Sequence, residues 1–173
     1  SLVSFKVGLI EKAELHPDAE SLYVSTVNLG ESEPRTVVSG LVKYIPLDQM
    51  QKRLVVCVCN LKPAAMRGVK SSAMVLAASP AAVDGQEKDR VELVQPPAGS
   101  KPGDVLQFAG FEGEPEAQLN PKKKIFEAVQ VGFTTDDALR VLYKDPQSSK
   151  SGFLVNKAGE QCKVESLVNA SIR

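Results

Sequence analysis

Apolar and polar residues alternate from Phe5 to Leu15, the two-residue period of a half-buried β-strand. His16-Pro17-Asp18-Ala19-Glu20-Ser21-Leu22 breaks the alternation with a turn, and Tyr23 to Leu29 forms a second strand closed by Gly30. Arg35 to Ser39 reads as a third, stopped by Gly40, after which Pro46-Leu47-Asp48-Gln49-Met50 predicts a short helix with proline at its start. Leu54 to Asn60, a β-branched apolar run, and Met74 to Ala78 supply two more strands. Ser79 to Lys88 has the composition of a loop, Arg90 to Val94 of a short strand, and Pro96 to Asp104 of a rigid turn. Further on, Asn120 and Pro121 form an N-cap and N1 pair for a helix with Ile125, Phe126 and Val129 inward, and Thr134-Thr135-Asp136-Asp137 predicts the start of a second helix. Phe153 to Val155 and Cys162 to Leu167, joined through Asn156-Lys157-Ala158-Gly159, predict a closing hairpin ahead of a tail from Asn169 to Arg173.

Five short strands with a helix inserted before the fourth is the pattern of an OB-type barrel, a mainly β fold whose outer face and loops take oligonucleotides. A boundary between Gly110 and Gln118 divides the chain into a barrel domain, residues 1–110, and a small α+β C-terminal subdomain, residues 111–173.

At 173 residues and 43% hydrophobic side chains, the chain has enough apolar surface for one large core or two small ones. No apolar run reaches the roughly 18 residues of a membrane span, and Ser1-Leu2-Val3-Ser4-Phe5-Lys6 lacks the apolar core of a signal peptide. The expectation is a cytoplasmic protein without a membrane partner. A chain opening without Met directly on a strand reads as a domain excised from a longer protein. Cys57 and Cys59, two apart on a strand, share a face and, with Cys162, read as buried thiols. One histidine and no Cys-x-x-Cys pair give no expectation of zinc.

Nothing in the pattern points to catalysis. His16 precedes Pro and Asp at a strand end, where it shapes the turn, and Glu11 and Glu14 read as strand-surface charges. The glycines of the Pro96 to Asp104 turn lack the Gly-x-x-x-x-Gly-Lys-Ser/Thr spacing of a phosphate loop. The expectation is a binding protein without cofactor or metal.

Formal net charge is zero, but the charge is not spread evenly. Between Arg35 and Lys70 stand seven cations, Arg35, Lys43, Lys52, Arg53, Lys62, Arg67 and Lys70, against the single anion Asp48. A local field of this kind orients a polyanion within about one Debye length, even on a neutral protein. Asn60 to Ser79 places Lys62, Arg67 and Lys70 on a Gly-containing turn between two apolar strands, an arrangement that presents cations and hydroxyls to phosphate and sugar. A solvated hairpin with surface charge fits the same residues. The run Lys122-Lys123-Lys124 stands where a helix macrodipole disfavours cations, by roughly 0.3 to 1 kcal/mol each. A polyanion bound at the helix start would favour them, and a solvated charged face is the other reading.

Lys6-Val7-Gly8, His16-Pro17-Asp18-Ala19, Ser21-Leu22-Tyr23, Pro34 to Leu41, Asn60-Leu61-Lys62-Pro63, Met66-Arg67-Gly68-Val69, Ser71 with Met74, and Leu119-Asn120-Pro121-Lys122-Lys123-Lys124 together resemble the EMAP II-like tRNA-binding domain family. The resemblance covers nearly the whole chain. The tail Asn169-Ala170-Ser171-Ile172-Arg173 is most similar to the fungal branch, synthetase cofactors that gather methionyl- and glutamyl-tRNA synthetases. The resemblance implies an OB fold that binds tRNA by shape, does no chemistry, and delivers tRNA to an aminoacyl-tRNA synthetase, the partner being held through a region N-terminal to this one. It also implies a monomer, the C-terminal part being similar to a dimer partner folded back onto the barrel.

The family's RNA-contacting pattern falls on Asn60, Lys62, Arg67, Ser71 and Met74. To these the charge pattern adds Lys70, Arg35, Lys43, Lys122, Lys123 and Lys124. Lys62 and Arg67 can neutralise phosphates, Ser71 can bond a 2′-hydroxyl, and Met74 offers a soft apolar surface to a base, or simply fills the core. With aromatics at 5%, stacking platforms are few, which favours folded RNA over long single strands. Two other roles fit the family: a protein-interaction scaffold in a multi-synthetase complex, and a released cytokine-like domain. Against the second, Phe5 to Lys12 carries a leucine where a cation is usual, and Glu11 where the pattern is uncharged.

Overall fold

The structure is a computed structural model and describes residues 2–80 and 90–172. Strand β1 (Phe5–His16) organises the N-terminal part. Along one edge its first half pairs with β4 (Leu54–Val58), from Phe5 opposite Val58 to Leu9 opposite Leu54. Its second half pairs with β2 (Ala19–Asn28), and β2 with β3 (Arg35–Ser39), all antiparallel. Helix α1 is the single turn Leu47–Met50 that follows Pro46, as the proline predicts. The hairpin of β5 (Ala64–Met66) and β6 (Val69–Ser71) leads into β7 (Met74–Val75), which pairs with β4. The Ser72 N–H donates to the Thr36 carbonyl at 2.9 Å, and the Val38 N–H to Ser71 Oγ at 2.9 Å. Those two bonds tie β3 back to the start of β7, so the order β3-β2-β1-β4-β7 returns on itself.

The expected fifth strand, Met74 to Ala78, is divided at Leu76. Its N–H donates to Val56 and its carbonyl accepts from Val94, after which β8 (Ala77–Ser79) pairs with β9 (Glu92–Leu93). The loop expected from Ser79 to Lys88 falls, beyond Pro80, outside the described residues.

The five-strand expectation also stops short of the C-terminal half. Strand β10 (Val105–Phe108) pairs with β1 and carries the ladder outward through β13 (Ser151–Val155), β12 (Val141–Lys144), β11 (Phe133–Thr135) and β14 (Ser171–Ile172), which meets β8. Among the described residues this makes one antiparallel sheet of twelve strands beside the two-stranded β5–β6 hairpin.

Three local expectations are corrected. Thr134 and Thr135 lie in β11, and Asp136 makes a turn instead of capping a helix: its carboxylate accepts from the N–H groups of Ala138 and Arg140 and pairs with the Arg140 guanidinium at 2.7 Å. Asn120 does cap, its side chain accepting from Lys122 N, but what it caps is a 3-10 turn, Pro121–Lys123. Lys124 at φ 50° breaks that turn from α2 (Ile125–Gln130). The closing hairpin keeps its turn, and Cys162 N–H donates to Leu154, but Cys162 to Leu167 joins by isolated bridges and not as a strand.

Two apolar clusters fill the molecule, and β4 lies between them. Val55, Cys57 and the following Cys59 point into one with Ile10, Tyr23, Val27 and Val37; Val56 and Val58 point into the other with Phe5, Val7, Phe108 and Phe133. A strand buried on both faces cannot alternate with polar residues, which is why this run is apolar throughout. In the second cluster the rings of Phe5, Phe108 and Phe133 meet at 5.3 to 5.8 Å, and Phe126 of α2 reaches Phe133 at 6.1 Å. No helix among the described residues is long and apolar enough to cross a membrane.

Candidate nucleic-acid interface

Two-residue hairpin turns favour left-handed backbone because its twist matches that of the strands. Between β5 and β6 the turn is Arg67-Gly68, at φ 52° and 88°. Glycine takes this conformation freely, whereas arginine does so at a cost of about 1 to 2 kcal/mol. The hairpin thus holds a strained cation at its tip, with the side chain exposed.

That tip is latched to the β1–β2 turn. His16, 5% exposed, accepts from the Asp18 N–H at Nδ1, 2.9 Å, which leaves the proton on Nε2 to donate to the Met66 carbonyl at 3.0 Å. Arg67 Nη2 donates to the Asp18 carbonyl at 3.2 Å. His16 therefore does more than shape its own turn, since it joins the β1–β2 turn to the β5–β6 hairpin.

The site residues expected from sequence divide into presenting and holding groups. Lys62, Arg67 and Lys70 are exposed on or beside the hairpin, and Lys43 is exposed ahead of Tyr44. Arg35 is held inward: Nη1 donates to the carbonyls of Cys59 and Ser72 at 2.7 and 3.0 Å, while Nε and Nη2 grip Glu31 at 2.8 and 2.7 Å. The hydrogen bond from Arg35 holds the Glu31 carboxyl below the usual range. Asn60 is 4% exposed, its amide donating to Leu2 and Glu116 and accepting from Ser4. Ser71 Oγ accepts from Val38 N and donates to the Ala73 carbonyl. With these bonds made, Arg35, Asn60 and Ser71 set the position of the cationic segment.

The three lysines enter from the C-terminal half. Leu119 N donates to the Asn60 carbonyl at 2.6 Å, which anchors the approach to Lys122, Lys123 and Lys124 two residues from Lys62. All three are exposed, Lys122 and Lys123 on the 3-10 turn and Lys124 at the N-cap of α2, so the macrodipole argument bears on Lys124 alone. Lys52 and Arg53 stand apart, Arg53 lining a depression with Gln95 and Pro96.

Below the hairpin lies a cleft of about 390 Å³ between the end of β3, the 41–44 turn and β7. Met74, half-buried, lines it beside Met66, Tyr44, Leu41 and Lys62. Met74 also packs against the second cluster, so it serves both core and cleft. Sequence reasoning missed Ser39, Leu41, Tyr44 and Met66 as cleft walls, because only the closure of β3 onto β7 brings them together.

The cysteines are free and buried. Burial pushes the Cys59 thiol up to about 11 and that of Cys162 up to about 12, and raises Cys57 too, so none supplies a thiolate nucleophile at neutral pH. Among the described residues, no three of His, Cys, Asp and Glu are grouped to hold a metal.

Residues 5–105, which include the latched hairpin and the cleft, match the family described as "Putative tRNA binding domain". The chain belongs to this family. It is 51% identical over 175 residues to tRNA-aminoacylation cofactor arc1 of Schizosaccharomyces pombe, a match covering 99% of this chain and 38% of that protein. Over 173 residues it is 46% identical to aminoacyl tRNA synthase complex-interacting multifunctional protein 1 of Mus musculus, covering all of this chain and 52% of the relative. The chain therefore spans about half, or less, of these curated relatives. Among solved structures it is similar to the C-terminal domain of Plasmodium vivax p43, with a TM-score of 0.82 and 26% identity over 99% of this chain and 97% of that one. These relatives are similar to this chain through its C-terminal half as well, beyond the matched 101 residues.

Proposed function

We propose that this chain is a structure-selective tRNA-binding module that reads fold and backbone more than base sequence and delivers tRNA to an associated aminoacyl-tRNA synthetase. The observation that carries the reading is the latched hairpin: a strained Arg67, flanked by exposed Lys62 and Lys70, fixed by His16 on a family member's RNA-binding fold. Preset cations of this kind gain phosphate contacts without ordering a loop first. The strand order β3-β2-β1-β4-β7, with α1 before β4, is the reading of an OB barrel for residues 1–110, against which residues 111–173 pack in place of a second subunit. Such a module works as a cytoplasmic monomer, without chemistry of its own, and raises a synthetase's effective tRNA concentration by tethering. By analogy with relatives named as an aminoacylation cofactor and a synthetase-complex protein, methionyl- and glutamyl-tRNA synthetases are the proposed partners, held through sequence outside this segment.

Fluorescence anisotropy with labelled tRNA across a salt series tests the reading, with unstructured RNA of equal length as competitor. Preferential binding of folded tRNA is expected, with a salt slope of about 0.7 to 0.9 per phosphate contact, reduced by roughly that amount for each of Lys62→Ala and Arg67→Ala. Absence of tRNA binding at low salt would sink the proposal and leave an assembly scaffold.

A further inference from the structure

Affinity for phosphate accounts for the hairpin cations but not for the cleft beneath them. At about 390 Å³ it falls within the range of pockets that hold a small organic group, roughly 300 to 1,000 Å³, and its walls are mostly apolar. One polar atom in it stands out. Ser39 Oγ is shielded from solvent and has no hydrogen-bond partner among the described residues, whereas the neighbouring Ser71 hydroxyl has two. Buried hydroxyls are ordinarily paired, and this one, closed off as it stands, meets an occupant of the cleft only by turning about its Cα–Cβ bond.

We infer that this cleft takes a single unstacked nucleobase of the bound RNA. The inference rests on the proposed tRNA binding and deepens it. Three features of the cleft fit a base better than an aliphatic or acidic group. Tyr44 offers an aromatic face and Met66 and Met74 polarisable thioethers, which suit the flat π surface of a base. Ser39 Oγ can donate to, or accept from, a base edge, and bases splayed out of folded RNA are recognised by this combination of stacking and edge bonding. Lys62 is exposed and lines the cleft, so the negative phosphates flanking an inserted base meet positive charge there. A module built in this way discriminates one unpaired position of its RNA while reading the remainder through backbone and shape.

The chain's three methionines make the inference directly measurable. Met66 and Met74 line the cleft, and Met50 is fully buried away from it. With methyl-13C methionine in the intact chain, NMR titration with tRNA is expected to move the Met66 and Met74 methyl resonances upfield by ring current while Met50 stays in place. Ser39→Val is expected to reduce those shifts and to weaken tRNA binding by about threefold to tenfold, the loss of one hydrogen bond. Lys62→Ala should weaken binding but leave the methyl shifts at saturation. Binding of tRNA by anisotropy with both cleft methyls unmoved would overturn the inference while leaving tRNA binding intact. Shifts unchanged by Ser39→Val would remove the hydroxyl's role and overturn it equally. No tRNA binding at all would defeat both readings, and methyl shifts caused by a synthetase and not by RNA would assign the cleft to a protein.

Discussion

Arg67 concentrates a conflict between folding and binding in one residue. Its φ of 52° is a conformation that asparagine adopts at lower cost, and the first position of a two-residue hairpin turn favours asparagine. Arg67→Asn is therefore expected to stabilise the chain by up to about 1 kcal/mol in urea unfolding. The same variant should bind tRNA more weakly and with a shallower salt slope, so that stability and affinity move in opposite directions. A parallel loss of both would mean that Arg67 is there for the fold. This site was legible in sequence as far as charge alone reaches. Lys62, Arg67 and Lys70 stand out because seven cations face one anion over a short stretch. Arg35 belongs to the same count, yet its partners are the carbonyls of Cys59 and Ser72, which come to it only when β3 closes on β7. Whether a cation presents or holds is decided by such long-range contacts, and no local pattern records them.

Among the elements, those with a strong period were found in the right order, though β2 begins at Ala19, inside the turn expected from His16 to Leu22, and those held by single contacts were misread. The strands β1 to β4 follow from alternation or from an unbroken β-branched run, but Thr134 to Asp137 reads equally as a helix start and as a strand with a turn. The Asp136–Arg140 pair decides for the turn. A comparable clasp joins the two halves: Glu92 of β9 accepts from the N–H groups of Ser166 and Leu167 and from the Ser166 hydroxyl. Burial raises the Glu92 pKa, but these bonds outweigh it and leave the group below its ordinary value of 4.5. A carboxyl depressed in the folded state contributes stability that is complete above the unfolded pKa and is lost as pH falls through the folded one. Thermal melts should accordingly lose stability below about pH 4.5, and Glu92→Gln should flatten that acid limb while lowering stability at pH 7. An acid limb identical to that of the parent chain would rule out the clasp. The lysine turn lends itself to a different test. Because Lys122, Lys123 and Lys124 are exposed and lie outside α2, replacing all three with Gln is expected to leave the melting temperature nearly unchanged and to lower the tRNA salt slope, by about 0.7 to 0.9 for each lysine that meets a phosphate. An unaltered slope would identify them as a solvated face.

For the molecule as a whole, packing runs across the boundary expected between Gly110 and Gln118. The second cluster takes Phe5 and Val56 from one side and Phe133, Leu154 and Ile172 from the other. Gly152 marks how closely the parts approach, since a Cβ there would overlap the Ala109 carbonyl. Gly152→Ala is expected to cost about 1 to 3 kcal/mol by pushing β13 off β10, and to do so within a single cooperative transition. Two separated transitions in the parent chain would contradict the shared packing. The matched segment 5–105 contains β4 but lacks much of what covers its second face, for Leu106, Phe108, Phe133, Leu154 and Ile172 lie beyond it. Freed from the remainder, it would carry Phe5, Val7, Val56 and Val58 as an uncovered apolar plate, and such plates find company. Cut away from its neighbour, the RNA reader would behave as half of a pair, sedimenting with a twin laid against that plate.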